Sequence, residues 1–512
     1  MPPFSTARRT CRAIIRGLRQ KPFVLISIVA FAVFAGLLVY AESWSSAWDE
    51  GFHVLTALLI RWGKRPYLDF LFPQTALNAY WVAAWMHVFG ESWRMIHALA
   101  TTATAAAMLL TGDYVLRRFP ETEWRTPAAI AAIIAVGLNV PVLEFGTLGQ
   151  AYGFCLLMIV LAFRMAVLSP ERSTLLWPLL AGLFGGAGAA GSLLTAPVPV
   201  VLLIWILWRD ETRSRFVKGA AFVLGGIVPF LPMIWLFIQS PNQVRFNLFD
   251  YHFFYRQVEW EGALQHDFEV MIAWIDSSQA FLLGLLALVG VFFAVRTRHW
   301  ARSLRWELYL CCGLIAALSL HISSAHPTFA RYFLFTVPFL SILAVAGLYA
   351  VGSRIQTPAR PWLVVIVFSV LYSLSTAKAI YGRYDNMTWG DFEQVAKRVG
   401  EVTPPNQSLM ADEFVYFLLK RQPPSGMELE DSHKLSGFSP AKAAEFHILP
   451  RTELNKQVRE GKFHTVETCD DADDERIEPL HLPQLYSKKE EVAGCTIYWD
   501  WAPRPAATAP KN

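Results

Sequence analysis

Lys21 to Tyr40 reads KPFVLISIVAFAVFAGLLVY, with one cation at its start and no charge after it. About 20 apolar residues in helix cross roughly 30 Å of hydrocarbon, so this stretch is long enough to span a bilayer. It exceeds the roughly 7–15-residue apolar core of a cleaved signal, and reads as a retained anchor. Working outward, further apolar runs lie at 95–116, 127–144, 151–168, 175–191, 193–208, 217–239, 279–296, 307–323, 332–352 and 361–380. The count is about eleven spans, with 127–144, 175–191 and 193–208 the shortest. No strand-type alternation accompanies them, and helices satisfy their own backbone in lipid. The expectation is an all-α polytopic membrane domain over residues 1–382. Gly182, Gly185, Gly186, Gly188 and Gly191 would let one span pack closely on a neighbour.

Composition agrees. The 512 residues are 54% hydrophobic and 17% charged, with a mean hydropathy of +0.34, whereas a soluble domain carries a larger charged share. The net charge of +4 is small for this length, and no nucleic-acid partner is expected. The position of the basic residues carries more information than their number. Arg8, Arg9, Arg12, Arg16, Arg19 and Lys21 precede the first span, which places that end in the cytoplasm. Alternating sides then makes Arg117–Arg125, Arg164–Arg172, Arg209–Lys218, Arg296–Arg305 and Arg354–Arg360 inner loops, and each is basic. The connections near 145–150 and 192 hold no Lys or Arg. Those around 240–278 and 324–331 hold only Arg245, Arg256 and Arg331. The segment after residue 383 therefore falls on the outer side of the membrane.

Beyond Arg383 charges become frequent and apolar runs short. Residues 383–512 read as a separate extracytoplasmic α/β domain. Asp391–Val402 has helical spacing ended by Pro404-Pro405, and Ser408–Leu419 reads as a strand followed by a helix. Cys469 and Cys495 fall in this outer domain and are candidates for a disulfide, with two unrelated thiols as the alternative. The acidic cluster Asp470, Asp471, Asp473, Asp474 and Glu475 lacks the spacing and turn glycine of a calcium loop and reads as a solvated loop.

The first outer loop, about 41–93, is the most suggestive stretch for chemistry. In Trp44-Ser-Ser-Ala-Trp48-Asp49-Glu50-Gly51-Phe52-His53, two adjacent carboxylates follow an anchoring helix. A carboxylate held at the interface could take a proton from an acceptor hydroxyl as general base. Phe52–Trp62 and about Thr75–Phe89 read as helices too short to span, lying along the outer surface.

With these residues in view, the chain resembles the membrane glycosyltransferases of type C. The likeness is to the branch around lipid A aminoarabinose transferase and the protein O-mannosyltransferases. It rests on Asp49-Glu50 after the first span, Gly63 with Pro66-Tyr67, Tyr80-Trp81 before Phe89-Gly90, Arg94 opening the next span, and Arg331-Tyr332 leading to Pro338. The resemblance implies an inverting enzyme, with membrane lipid around it as a partner, that moves a sugar from a polyprenyl-phosphate donor to an acceptor on the outer or luminal face. A lipid or glycan acceptor is favoured. Asp49 would be the catalytic base with Glu50 supporting it. Lys64, Arg65, His252, Arg256, His326 and Arg331 would be the candidate contacts of the donor phosphate. His53, Tyr67, Gln74, Glu144, Gln150 and Tyr332 are supporting candidates. Where the aminoarabinose branch has Lys-Pro-Pro, this chain has Phe72-Pro73-Gln74-Thr75, which leaves the donor class open. Glu144 stands near the position of a second acidic residue, so a divalent metal is left open and no cofactor is assigned. The alternatives are a transporter or flippase for lipid-linked sugars, a protein O-glycosyltransferase, and a lipid-linked oligosaccharide polymerase or ligase. Transporters place charge at mid-membrane and often carry internal repeats, and neither feature is seen here.

Overall fold

Every apolar run is helical in the computed structural model, which describes residues 22–209, 214–255, 262–296, 300–325, 327–357, 359–383, 386–429, 432, 435, 437–469 and 480–502. Among the described residues, eight helices are long and apolar enough to cross a membrane: Phe23–Ser43, Trp93–Arg118, Tyr152–Glu171, Arg215–Gln239, Ser278–Arg296, Arg302–Ser323, Ala330–Gly352 and Arg360–Tyr381. Leu176–Gly191 and Leu193–Arg209 are shorter apolar helices. The run at 127–144 is not one helix. It forms Thr122–Gly137 and then Val140–Phe145, parted at Leu138 and Asn139. Pro141 has no N–H to donate back along the ladder, so the first helix stops and the proline sits in the first turn of the next.

By packing, the described residues divide into two units. The first comprises those of Met1–Glu42, His97–Phe230 and Gly262–Tyr384. Its centre is the helix of Ala330–Gly352, 89% buried over its apolar window, whereas Phe23–Ser43 keeps most of its surface open. Small residues bring its helices together. A Cβ on Gly182 would overlap the carbonyl of Phe222, one on Gly186 the carbonyl of Gly226, and one on Gly225 the carbonyl of Leu179. Helices 176–191 and 215–227 thus meet backbone to backbone, as lipid favours for association without a hydrophobic drive. Gly290 against Leu343 and Gly347 against Leu286 do the same for 278–296 and 330–352.

Loops expected on one side also meet. Arg118 pairs with Glu171 at 2.6 Å and Glu307 at 3.5 Å, Arg164 with Asp113 at 2.5 Å, and Lys218 donates to the carbonyls of Ser169 and Arg172. These residues belong to or border four of the basic loops.

The second unit comprises the described residues of Ser43–Ile96, Leu231–Glu261 and Asp385–Asn512. Helix Glu50–Arg61 is followed by Leu77–Phe89, which ends at Gly90 with φ +93°. The connection at 240–278 has regular structure among its described residues. It holds a ten-residue π-helical stretch, Phe246–Tyr255, and the helix Ala263–Asp276, whose residues belong to the first unit. In the tail, helix Trp389–Val402 and helix Glu413–Leu419 precede and follow strand β1 (Leu409–Met410). The sheet continues with β2 (Thr465–Thr468), β3 (Tyr486–Val492) and β4 (Cys495–Trp501) in the order β1-β2-β4-β3, with only β1 and β2 parallel. Ala493 and Gly494, both at positive φ, make the tight turn of the β3–β4 hairpin. Cys469 and Cys495 form a disulfide. The acidic cluster at 470–475 lies outside the described residues.

Replacing Gly182 by Leu forces two helix backbones apart. It is expected to destabilise the membrane unit by about 3 kcal/mol, read as a lowered thermal midpoint in detergent beside a Gly36→Leu control, where a Cβ meets nothing.

Candidate active site

Asp49 occupies the residue before helix Glu50–Arg61. Its side chain makes no capping hydrogen bond and is exposed. The partial positive charge of the helix start favours a carboxylate at that position. Its neighbour differs. Glu50 is fully buried, and its Oε2 accepts the indole N–H of Trp389 at 3.0 Å. Adjacent acids thus hold two environments, one facing water and one locked inside. The His53 ring lies against Phe52 at 4.2 Å and edge-on to Phe72 at 6.2 Å.

The loop between helices 50–61 and 77–89 is built around Tyr67. This residue is buried at φ +70°, and its hydroxyl donates to the Gln74 carbonyl at 2.6 Å. Left-handed backbone is unfavourable for a tyrosine, and that hydrogen bond helps to hold it. Gln74 therefore contributes its backbone to the loop. The π-helical stretch grips the same loop: Asn247 Oδ1 accepts from the Phe72 N–H at 2.7 Å, and His252 Nε2 lies 2.8 Å from the Pro73 carbonyl. Since Nε2 must carry the proton to donate there, His252 has one nitrogen committed to the loop. Arg65 is paired with Asp69 at 2.9 Å and bonded to Gln239. Lys64 lies within electrostatic reach of Asp69 and Glu428. Burial pushes the Glu428 carboxyl up to about 7, with backbone hydrogen bonds and Lys64 pulling the other way.

In the first unit, Glu144 lies in the short helix Val140–Phe145, and its Oε2 accepts from Arg383 at 2.7 Å. Burial pushes this carboxyl up to about 7 against the pull of Arg383. The Tyr40 hydroxyl meets the same guanidinium. The Phe145 ring is shared: Arg383 lies 5.8 Å and Arg331 5.6 Å from its centroid. Arg331 also covers Phe329 at 4.4 Å and Tyr332 at 5.8 Å. Tyr332 faces Tyr152 at 6.4 Å. Gln150 is 4% exposed, and its Nε2 has no hydrogen-bond partner among the described residues. A buried amide N–H without an acceptor is costly, so the position is ready for an acceptor oxygen.

Of the sequence candidates, Asp49, Glu50, His53, Lys64, Arg65, Tyr67, Gln74 and His252 belong to the second unit, and Glu144, Gln150, Arg331 and Tyr332 to the first. Arg256 and His326 lie outside the described residues. Arg383, Tyr40 and Trp389 were not expected. Arg383 follows the last span directly, which is a signal for a partner at that end of the span; nothing local marks Trp389. Among the described residues, three metal-ligating side chains come together only at Glu467, Cys469 and Cys495. Both sulfurs are spent in the disulfide, and Glu144 is engaged by Arg383, so neither place fits a metal as it stands.

No protein-family model matches the sequence, and no curated protein matches it. The fold does have solved counterparts. ArnT from Cupriavidus metallidurans bound to undecaprenyl phosphate superposes with a TM-score of 0.67 at 13% identity, over 93% of this chain and 97% of that one. Its apo form gives 0.66 at 13% identity, over 94% and 98%. The chain has the ArnT-like GT-C fold along nearly its whole length.

Arg383→Met strands the Glu144 carboxyl, at an expected cost of about 3 kcal/mol. A carboxyl whose folded pKa is raised loses stability as pH rises through that value. The cost should therefore be larger at pH 8 than at pH 5, and Glu144→Gln should remove the difference. Thermal unfolding in detergent at both pH values measures this.

Proposed function

We propose that the chain is an inverting glycosyltransferase that moves a sugar from a polyprenyl-phosphate donor to a lipid or glycan acceptor on the extracytoplasmic face of a bacterial inner membrane. The observation that carries this reading is an exposed carboxylate, Asp49, at a helix start just after the first span of a chain with the ArnT-like fold. The solved counterpart bound to undecaprenyl phosphate supports a lipid-phosphate donor.

In this reaction Asp49 accepts the proton of an acceptor hydroxyl as its oxygen attacks the anomeric carbon. The bond from that carbon to the phosphate oxygen breaks, and the polyprenyl phosphate leaves with the electron pair. Attack opposite the leaving group inverts the configuration. Hydrogen-bond donors and cations at the phosphate oxygens would stabilise the charge that grows there as the bond breaks. Arg65 and His252 are less suited to that task, because Asp69 and the Pro73 carbonyl engage them. Glu144 serves as counter-ion to Arg383 in this scheme.

Membranes holding the wild-type chain or Asp49→Asn would be given radiolabelled undecaprenyl-phosphate sugars, and transfer to endogenous acceptors followed. Loss of general-base catalysis should cost about 10²- to 10⁴-fold in rate; wild-type transfer by a folded Asp49→Asn chain would remove Asp49 from the mechanism.

For the topology, a reporter active only outside the cytoplasm, fused at residue 383, is expected to be active. An inactive fusion would reverse the orientation.

A further inference from the structure

We infer that the C-terminal segment is part of the catalytic apparatus, with Trp389 and Phe414 acting as positioning residues for Asp49. This rests on Asp49 being the base. The segment around that residue is held on both sides by the tail. The Ser46 hydroxyl donates to the Met387 carbonyl. Trp48 sets its ring edge-on to Phe392 at 5.7 Å and to Phe414 at 6.4 Å. Glu50, with no exposed surface, accepts the Trp389 N–H at 3.0 Å. At Gly51 a Cβ would stand 2.9 Å from the Phe414 ring and 3.2 Å from Glu413 Cβ, so only glycine admits so close an approach. Asp49 is the exposed residue between these anchors.

The grip is itself rigid. Trp389 stacks on Trp93 with centroids 5.2 Å apart and planes within 11°, and meets Phe414 edge-on at 5.0 Å. Phe392 and Phe414 stack at 4.0 Å. Trp93 donates its own N–H to Glu393 at 2.7 Å, and Arg94 covers the Trp93 ring at 4.1 Å. Thr388 and Asp391 close a capping box at the start of helix 389–402, so the backbone carrying Trp389 is fixed as well. Losing a hydrogen bond at a buried polar group is costly, which gives the Glu50–Trp389 bond a firm preference for one geometry. With residues 48 and 50 both anchored, Asp49 retains little more than its side-chain torsions. A base must be held within a fraction of an ångström to act, and a misplacement of about 1 Å can cost 10²-fold.

Trp389→Phe in the full-length chain removes the N–H and keeps a ring in the stack. With the undecaprenyl-phosphate sugar that the wild type turns over, the variant is expected to lose about tenfold in kcat while KM for the donor stays within twofold. Amide hydrogen exchange of residues 46–52 should rise. Glu50→Gln, whose amide oxygen can still accept the indole N–H, should retain most of that protection. A folded Trp389→Phe chain with wild-type kcat, beside an inactive Asp49→Asn, would overturn the positioning role and leave the base intact. Unchanged exchange at 46–52, or kcat falling only in step with the folded fraction, would overturn it too. Full activity in Asp49→Asn would instead overturn the base assignment, whatever Trp389→Phe shows.

Discussion

Inside hydrocarbon a peptide group finds no water, and each N–H or C=O left without a partner costs several kcal/mol. Helices that bond their own backbones are what this chain can build there, and its runs of Leu, Ile, Val, Phe and Ala allow nothing else. Lipid also supplies no hydrophobic drive for one helix to prefer another over the solvent, so contact between helices comes from close approach. Gly182 and Gly186 against Phe222 and Gly226, with Gly290 and Gly347 against Leu343 and Leu286, show where that approach was built. Charged groups are restricted by the same cost. Arg118, Glu171 and Glu307 pair at one set of loops, and Glu144 with Arg383 at another.

The spans were legible because length and hydropathy are local properties, and the three runs that looked short are the ones that do not qualify alone. The break at Leu138–Asn139 was within reach of a stricter reading of Pro141. Tail helix 389–402 and the strand and helix before Leu419 follow from periodicity and from Pro404-Pro405. The site was harder. Asp49 stands out as a candidate because it follows an anchor beside Glu50, but the buried partner of Glu50 is Trp389, 339 residues further on. The pairing of Glu144 with Arg383 spans 239 residues. Such contacts leave no periodic trace in the chain. Arg65, a candidate phosphate contact because Lys64-Arg65 is basic, is paired with Asp69 four residues further on.

The second unit shows what a reading by segments misses. Phe52, Leu55, Leu59, Tyr67 and Phe70 of the segment between the first two spans share one hydrophobic core with Leu236 and Phe246 of a later segment, and with Val395, Val399, Tyr416 and Ile497 of the tail. A protein interior is close-packed, so a gap opened in one segment is felt by the others. The tail is therefore no appendage whose folding is independent of the loop that carries Asp49. Its helix 389–402 completes the core on which helix 50–61 rests. The reaction proposed at the start of that helix would depend on residues more than three hundred positions away for the same reason that the core does: both are finished only when the chain has come back to them.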